Sequence, residues 1–412
     1  MKSLLRMTAA AGALLAAPSF AFADCGIESG SVRILSNDFE ALHVVASGAE
    51  ECASATVEVT KNQTTEHKNI QVAALTTNPA TYTVAVVANN SVVPLLNDGL
   101  IRPLDDLVEK YGQSLEPTQL IRIDGKVMAI AFMANAQHLH YRKDLLEEAG
   151  LEPPTSYEDI LAGAAILREK GILATPLAAN FKPGFDLAEE FVNMYLGYGG
   201  EFFEPGTPNA SIVNEKGVAA LETMKAMSGF MGPDFMTFDT NAIKPMWEAS
   251  EVAILNGWGS RASALIDTEG PAPEVAANTV LAAAPTVGGG TTPAATLWWD
   301  GFAIAKNISD EDAEASFQAM MHGIRPEVAQ EYAPVAVWLI KGYEPTPAAV
   351  GVIETLKAGA KPFPMLPYMG VLFTAIGENL AEFMQGQESA EQALEDATQA
   401  YNTAAREAGF LN

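Results

Sequence analysis

Apolar and polar positions along this chain follow two different periods in alternation. The run VRIL at residues 32–35 is extended and apolar and stops at Ser36-Asn37-Asp38, the pattern of a strand ending in a turn. Residues 39–53 then place apolar side chains at helical spacing. ATVEVT at 55–60 alternates and predicts a second strand, and residues 66–75 predict a helix. TYTVAVVA at 81–88 predicts a buried third strand that ends at Asn89-Asn90-Ser91. A short helix is expected over 104–111. Strands alternating with helices imply βαβ units and a mainly parallel sheet with right-handed crossovers. Ligands of such sheets sit beyond the carboxyl ends of the strands. That rule selects Asn37, Asp38, Glu66, His67, Asn89 and Asn90, residue types that also serve as helix caps and turn formers.

A second block opens at the turn Asp124-Gly125-Lys126. VMAIAFMANAQHLHY, residues 127–141, reads as one long extended segment interrupted by Asn135 and Gln137. Buried polar groups need partners, so both are candidates for an interlobe or ligand contact. A helix over 142–150 ends at Gly150, and Ser156 is placed to cap the next, over 157–170. Helices are also expected over 186–197, 214–229 and 390–408. Strands are expected over 254–258, 280–284 and 297–304. Residues 181–185, FKPGF, and 201–205 are candidate rim loops. Alternation through Trp298-Trp299-Asp300 sends the two tryptophans to opposite faces; Trp299 with Asp300 is the pair expected to meet a ligand.

The first 23 residues follow a different logic. Lys2 and Arg6 precede a short apolar stretch at 7–18, and Ala21-Phe22-Ala23 is the small-x-small pattern of a signal-peptidase site. The apolar stretch falls short of the ~20 residues that span a bilayer. Export with cleavage after Ala23 is therefore expected, leaving about 389 residues. That length exceeds the ~250–300 residues at which a single core usually splits, so two domains are expected. The net charge of −27 becomes −29 without the leader. Such an acidic chain argues against nucleic acid as a partner, since phosphate binding needs clustered Lys and Arg. The two cysteines, Cys25 and Cys52, form an even pair in an oxidising compartment and are read as a disulfide. A lipidated Cys25 is the alternative, disfavoured by Asp24 immediately before it.

No metal spacing is present. His138 and His140 share a face of the extended segment but have no third ligand nearby. No G-x-S-x-G, phosphate-loop or dinucleotide fingerprint appears, and no cofactor is expected. A glycoside hydrolase with paired carboxylates remains an alternative, although nothing marks an acid and a nucleophile.

Five segments in order resemble the maltose-binding-like extracellular solute-binding proteins of ABC importers. They are LLNDGLIRPLDDL at 95–107, LHYRKDLLEEAGLEPPTSYEDIL at 139–161, AILNGW at 253–258, WDGFAIAKN at 299–307 and ESAEQALEDA at 388–397. The resemblance implies an α/β fold of two lobes, each a mainly parallel sheet flanked by helices, with a ligand cleft between them. It implies chain crossings near 131–134, 298–302 and 332–335, one lobe of 24–132 plus 301–332 and another of 133–300 plus 333–412. It also implies a monomeric periplasmic binding component, not an enzyme, that closes on a sugar or polyol and delivers it to a membrane permease. Trp258 matches the family's cleft aromatic, with Arg261 just beyond it, and Tyr332 and Tyr368 fall where relatives present side chains to the cleft. A cationic amine caged by aromatic rings and paired with Asp38, Glu66 or Asp300 is the alternative solute.

Overall fold

The computed structural model describes residues 25–412, so the expected leader and its cleavage site lie outside the described residues. The first three strands form as their alternation predicts: β1 (Gly30–Ser36), β2 (Val57–Gln63) and β3 (Val84–Ala88), with β1 between the other two and all parallel. The helix Glu40–Glu50 joins β1 to β2 and buries Leu42, Val45, Ala46 and Ala49, the i, i+3, i+4, i+7 stripe of an amphipathic helix. The helix His67–Thr76 joins β2 to β3. Gly150 takes the left-handed conformation (φ 68°) after the helix Lys143–Ala149, and Ser156 accepts from the Asp159 N–H to cap the helix Tyr157–Glu169.

Seven of the eleven strands run in the order β2-β1-β3-β9-β5-β7-β6. The others on this path are β5 (Lys126–Arg142), β6 (Leu177–Ala178), β7 (Ile254–Trp258) and β9 (Thr296–Ile304). Short strands β4 (Leu120–Ile123), β8 (Thr279–Ala282) and β10 (Val337–Trp338) pair with β5, and β11 (Lys361–Pro362) with β9. The sheet is mixed rather than mainly parallel. Both long strands, β5 and β9, run antiparallel to each other, β9 also to β3 and β5 to β7. Gly301 makes the β5–β9 crossing possible, because a Cβ there would run into the Ile130 carbonyl oxygen.

Two cores flank the N-terminal part of the sheet and follow its pleat. Val84, Val86, Phe302 and Ile304 face one side, with Ile130, Phe132 and Phe317. Ala85, Val87 and Ala303 face the other, with Leu75 and Leu95. A third, larger core gathers Tyr157, Phe181, Phe191, Tyr195, Trp247, Ile376 and Tyr401 around the other end of β5. β5 and β9 pass between the cores: Met133 belongs to the first, Leu139 and Trp298 to the third. Cys25 and Cys52 are disulfide-bonded, with Cα atoms 5.5 Å apart. The bond ties the start of the described chain to the segment before β2, and its 27-residue separation corresponds to about 3–4 kcal/mol in the loop-entropy account. Among the described residues no helix is long and apolar enough to cross a membrane.

Candidate functional site

A cavity of about 180 Å³ lies where the carboxyl ends of β1 and β3 meet the end of β7 and the middle of β5 and β9. Asn37 and Phe39 reach it from the segment after β1, His67 and Lys68 from the first turn of the helix after β2, and Ala88 from the end of β3. From the opposite side come Asn135 of β5, Phe185 and Asp186 at the start of the helix Phe185–Gly197, and Thr240 at the start of the helix Thr240–Glu248. Trp258, Ser260 and Arg261 follow from the end of β7. Trp298 and Asp300 of β9 form the floor.

The floor is an aromatic cluster. Trp298, 6 % exposed, meets Trp258 edge-on at 5.9 Å between ring centroids, Phe185 at 6.0 Å and Phe363 at 4.4 Å. Its Nε1–H donates to Glu189 Oε1 at 2.9 Å and to Thr296 Oγ1 at 2.8 Å. Asn135 anchors the turn after Trp258: its Oδ1 accepts from the Ser260 N–H at 3.1 Å and its Nδ2 donates to Ser260 Oγ at 3.2 Å. The Lys68 Nζ sits 4.3 Å from the centre of the Phe185 ring, a cation–π contact between the two halves of the molecule.

Burial dominates the electrostatics. It pulls the Lys68 ammonium down to about 8, against the opposing pull of Asp300, Glu189 and Asp186. It pushes Asp300 up to about 7, offset in part by Lys68. Asp186 also rises to about 7, from burial and then the charge of Asp239. Burial and the neighbouring Lys68 lower His67 to about 4, so its imidazole is neutral at pH 7. Arg261 is lowered by burial, with Glu40 and Asp38 opposing.

Of the residues selected from sequence, Asn37, His67, Asn135, Trp258, Arg261 and Asp300 line this cavity. The others do not. Asp38 is exposed and holds His43 Nε2 at 2.6 Å, and Glu66 is exposed and accepts from Asn69. Asn89 is buried as a strut: its Oδ1 accepts from the Trp299 N–H at 2.8 Å and its Nδ2 donates to the Leu297 carbonyl. Asn90 lies beyond the lining residues, its buried Oδ1 without a partner. Gln137 is the hub of a buried cluster, donating to Glu190 and accepting from Asn193 and Asn256. Tyr332 is 37 % exposed, and the Tyr368 hydroxyl donates to the Thr207 carbonyl, its ring packed on Phe203.

Trp299 requires a correction. The two tryptophans do face opposite ways, but Trp299 packs against the small cluster containing Ala303, and Trp298 is the one in the cavity. A period of two puts Trp298 and Asp300 on one face, so Asp300 cannot share a face with Trp299. Phe39, Lys68, Ala88, Phe185, Asp186, Thr240, Ser260 and Trp298 complete the lining; Trp298 is the tryptophan set aside for Trp299, Phe185 ends a candidate rim loop, and no sequence pattern singles out Lys68 or Asp186. Phe185 closes the FKPGF segment, where Gly184 (φ 98°) precedes the helix, and that segment is the one local signal pointing to it.

Two separately cored halves, joined through shared strands and enclosing a polar, aromatic-floored cavity, are the architecture of a two-lobed solute-binding protein. The chain belongs to the bacterial extracellular solute-binding protein family, whose pattern matches residues 54–321. Maltose-bound MalE3 of Thermotoga maritima superposes with a TM-score of 0.78 at 18 % identity, covering 91 % of this chain and all of that one. An ABC-transporter solute-binding protein of Agrobacterium radiobacter K84 in complex with ribitol gives 0.76 at 18 % identity, over 91 % and 98 % of the chains. One from Agrobacterium vitis S4 with bound D-mannitol gives 0.74 at 17 % identity, over 92 % and 99 %. A Brucella abortus (strain 2308) protein whose name calls it a binding protein is 26 % identical over 151 residues. That match spans 35 % of this chain and only a third (33 %) of the relative.

Proposed function

We propose that this chain is exported, cleaved after Ala23, and captures a small sugar or polyol between its lobes for delivery to an ABC permease. The carrying observation is the pairing of Trp258 and Trp298 with Asn37, Asp186, Asp300 and Arg261 around one cavity. Flat aromatic surface suits the C–H faces of a polyhydroxylated solute, and carboxylates, amide and guanidinium suit its hydroxyls. Solved relatives bound to maltose, ribitol and D-mannitol support the same class. A quaternary ammonium fits less well, because Lys68 already places a cation over Phe185.

The lobes are proposed as residues 25–132 with 301–340, and 133–300 with 341–412. Ala336, Trp338 and Ile340 pack in the first core, which argues for a later third crossing than residues 332–335. Closure would bring Lys68 and Phe185, on opposite lobes, further together around the solute.

A thermal-shift panel of sugars, polyols and amines tests the proposal. A true ligand at a hundredfold excess over its Kd contributes about 2.7 kcal/mol, read as a rise of several degrees in Tm. At least one sugar or polyol is expected to do so and to be recovered unchanged. Recovery of a hydrolysed product would replace binding with glycosidase activity, and a response to amines alone would replace the sugar. Trp258→Ala should weaken binding of the responding compound on the order of 30-fold or more, with an unchanged far-UV spectrum. Unchanged affinity would show that Trp258 is packing, not recognition.

A further inference from the structure

Arg261 stands apart from the other arginines. The remaining seven described arginines each donate to a carboxylate, hydroxyl or carbonyl oxygen. The Arg261 guanidinium, partly buried in the cavity wall, has neither a hydrogen bond nor an ion pair among the described residues. The acids it feels most are Asp38 and Glu40, both exposed on the other lobe, and Asp38 is already engaged by His43. In a chain of net charge −27, an unpaired arginine held in a cleft is suited to an anionic ligand. A guanidinium offers a planar fork matched to a carboxylate.

The cavity is polarised. Lys68 acts electrostatically on both Asp186 and Asp300, and Arg261 shares in neither interaction. We propose that the solute is a monoanionic sugar acid, an aldonate or uronate, whose carboxylate pairs with Arg261 while its hydroxyls meet the Lys68, Asp186 and Asp300 group. This rests on the sugar-binding reading above and narrows it. A phosphate ester fits less well. It would bring close to two charges toward Asp186 and Asp300, whose charge Lys68 already offsets, and leave Arg261 alone to neutralise them. Burial strengthens the case: it disfavours the lone guanidinium and raises both aspartates to about 7, so at neutral pH they are only partly ionised and, beside Lys68 and Arg261, leave the empty cavity with a positive balance.

Titration calorimetry at pH 7 and low salt decides it. The probes are D-glucuronate, D-galacturonate and D-gluconate, their neutral parents D-glucose, D-galactose and D-glucitol, and glucose 6-phosphate. At least one of the three acids is expected to bind about tenfold or more tighter than its neutral parent and tighter than the phosphate. Arg261→Gln should cost that acid about tenfold to a hundredfold and erase its advantage, with Arg261→Lys in between because it keeps the charge and loses the fork. The inference is overturned if no acid outbinds its parent, if the phosphate binds best, or if the preference survives Arg261→Gln. The wild-type panel is decisive even should a variant misfold. Neutral sugars binding without acid preference would sink this inference alone, whereas binding of amines only would sink the sugar reading with it.

Discussion

Trp298→Ala is expected to lower the stability of the folded chain by about 3–5 kcal/mol and to abolish solute binding. Trp298 is 6 % exposed and touches three other rings, so truncation opens a cavity between Phe363, Phe185 and Trp258. It also strips a donor from Glu189, a buried carboxylate whose Oε2 already lacks a partner. Glu189 Oε1 would keep the Thr296 hydroxyl, and the lost hydrogen bond adds to the lost packing. Trp298→Phe reduces the packing loss while still removing the Nε1–H: it keeps one ring among the aromatic neighbours and leaves a smaller void, so about 1–3 kcal/mol is expected. Urea titrations followed by far-UV circular dichroism give the stabilities, and calorimetry on the same samples gives the affinities. If Trp298→Ala stayed within about 1 kcal/mol of the wild type, the ring would be a replaceable lid rather than the floor of the cleft.

The same residue shows what could be read in the sequence. Alternation correctly separated Trp298 from Trp299, because a strand's side-chain period is a local property. Which face looked into the cleft was not local. It depended on β9 lying between β3 and β5, where Ala303 turns to one core and Phe302 to another. Local signals likewise placed β1 to β3, the long β5, the Gly150 terminus and the Ser156 cap. The antiparallel pairing of β5 with β9 left no trace in either segment, since direction is set by how the chain returns from a distant lobe. For the site, the strand-end rule found Asn37 and His67 but could not separate them from Asn89, which the same rule selected and which folding spent on joining β3 to β9. Lys68 and Asp186 looked like ordinary first-turn charges on two helices more than a hundred residues apart. Only the meeting of the lobes makes them one electrostatic group.

Beneath that group, Glu189 and Glu190 make the fold sensitive to pH in a direction that can be worked out. Burial pushes Glu189 up to about 7, with Thr296 and Trp298 opposing, and Glu190 up to about 8, with Asn180 and Gln137 opposing. Unfolded, both titrate near the ordinary glutamate value of 4.5. Between these limits the folded state holds more protons than the unfolded one, so stability falls as pH rises. The buried histidines work the other way. His67 and His138 are lowered to about 4 and His140 well below 6.5, all chiefly by burial, so they cost stability as pH drops below 6.5. Lys68, at about 8, also opposes the acids as the pH approaches and passes that value. Between pH 6.5 and 8 Glu189 and Glu190 outweigh these opposing groups, with Asp186 and Asp300 contributing less because the cavity leaves them partly open to water. A net loss of about 1 kcal/mol is expected across that range, since one extra proton held by the folded state changes stability by about 1.4 kcal/mol for every unit of pH and the histidines and Lys68 return part of what the acids lose. Glu190→Gln keeps an oxygen for Asn180 and Gln137 and removes the larger titration in this window, so its profile should be level or rise where the wild type falls. Thermal melts at constant ionic strength measure both slopes. A wild-type Tm that stays level or rises from pH 6.5 to 8 would mean that both carboxylates are already ionised and solvated in the folded state, and Glu190→Gln would then leave the profile unchanged.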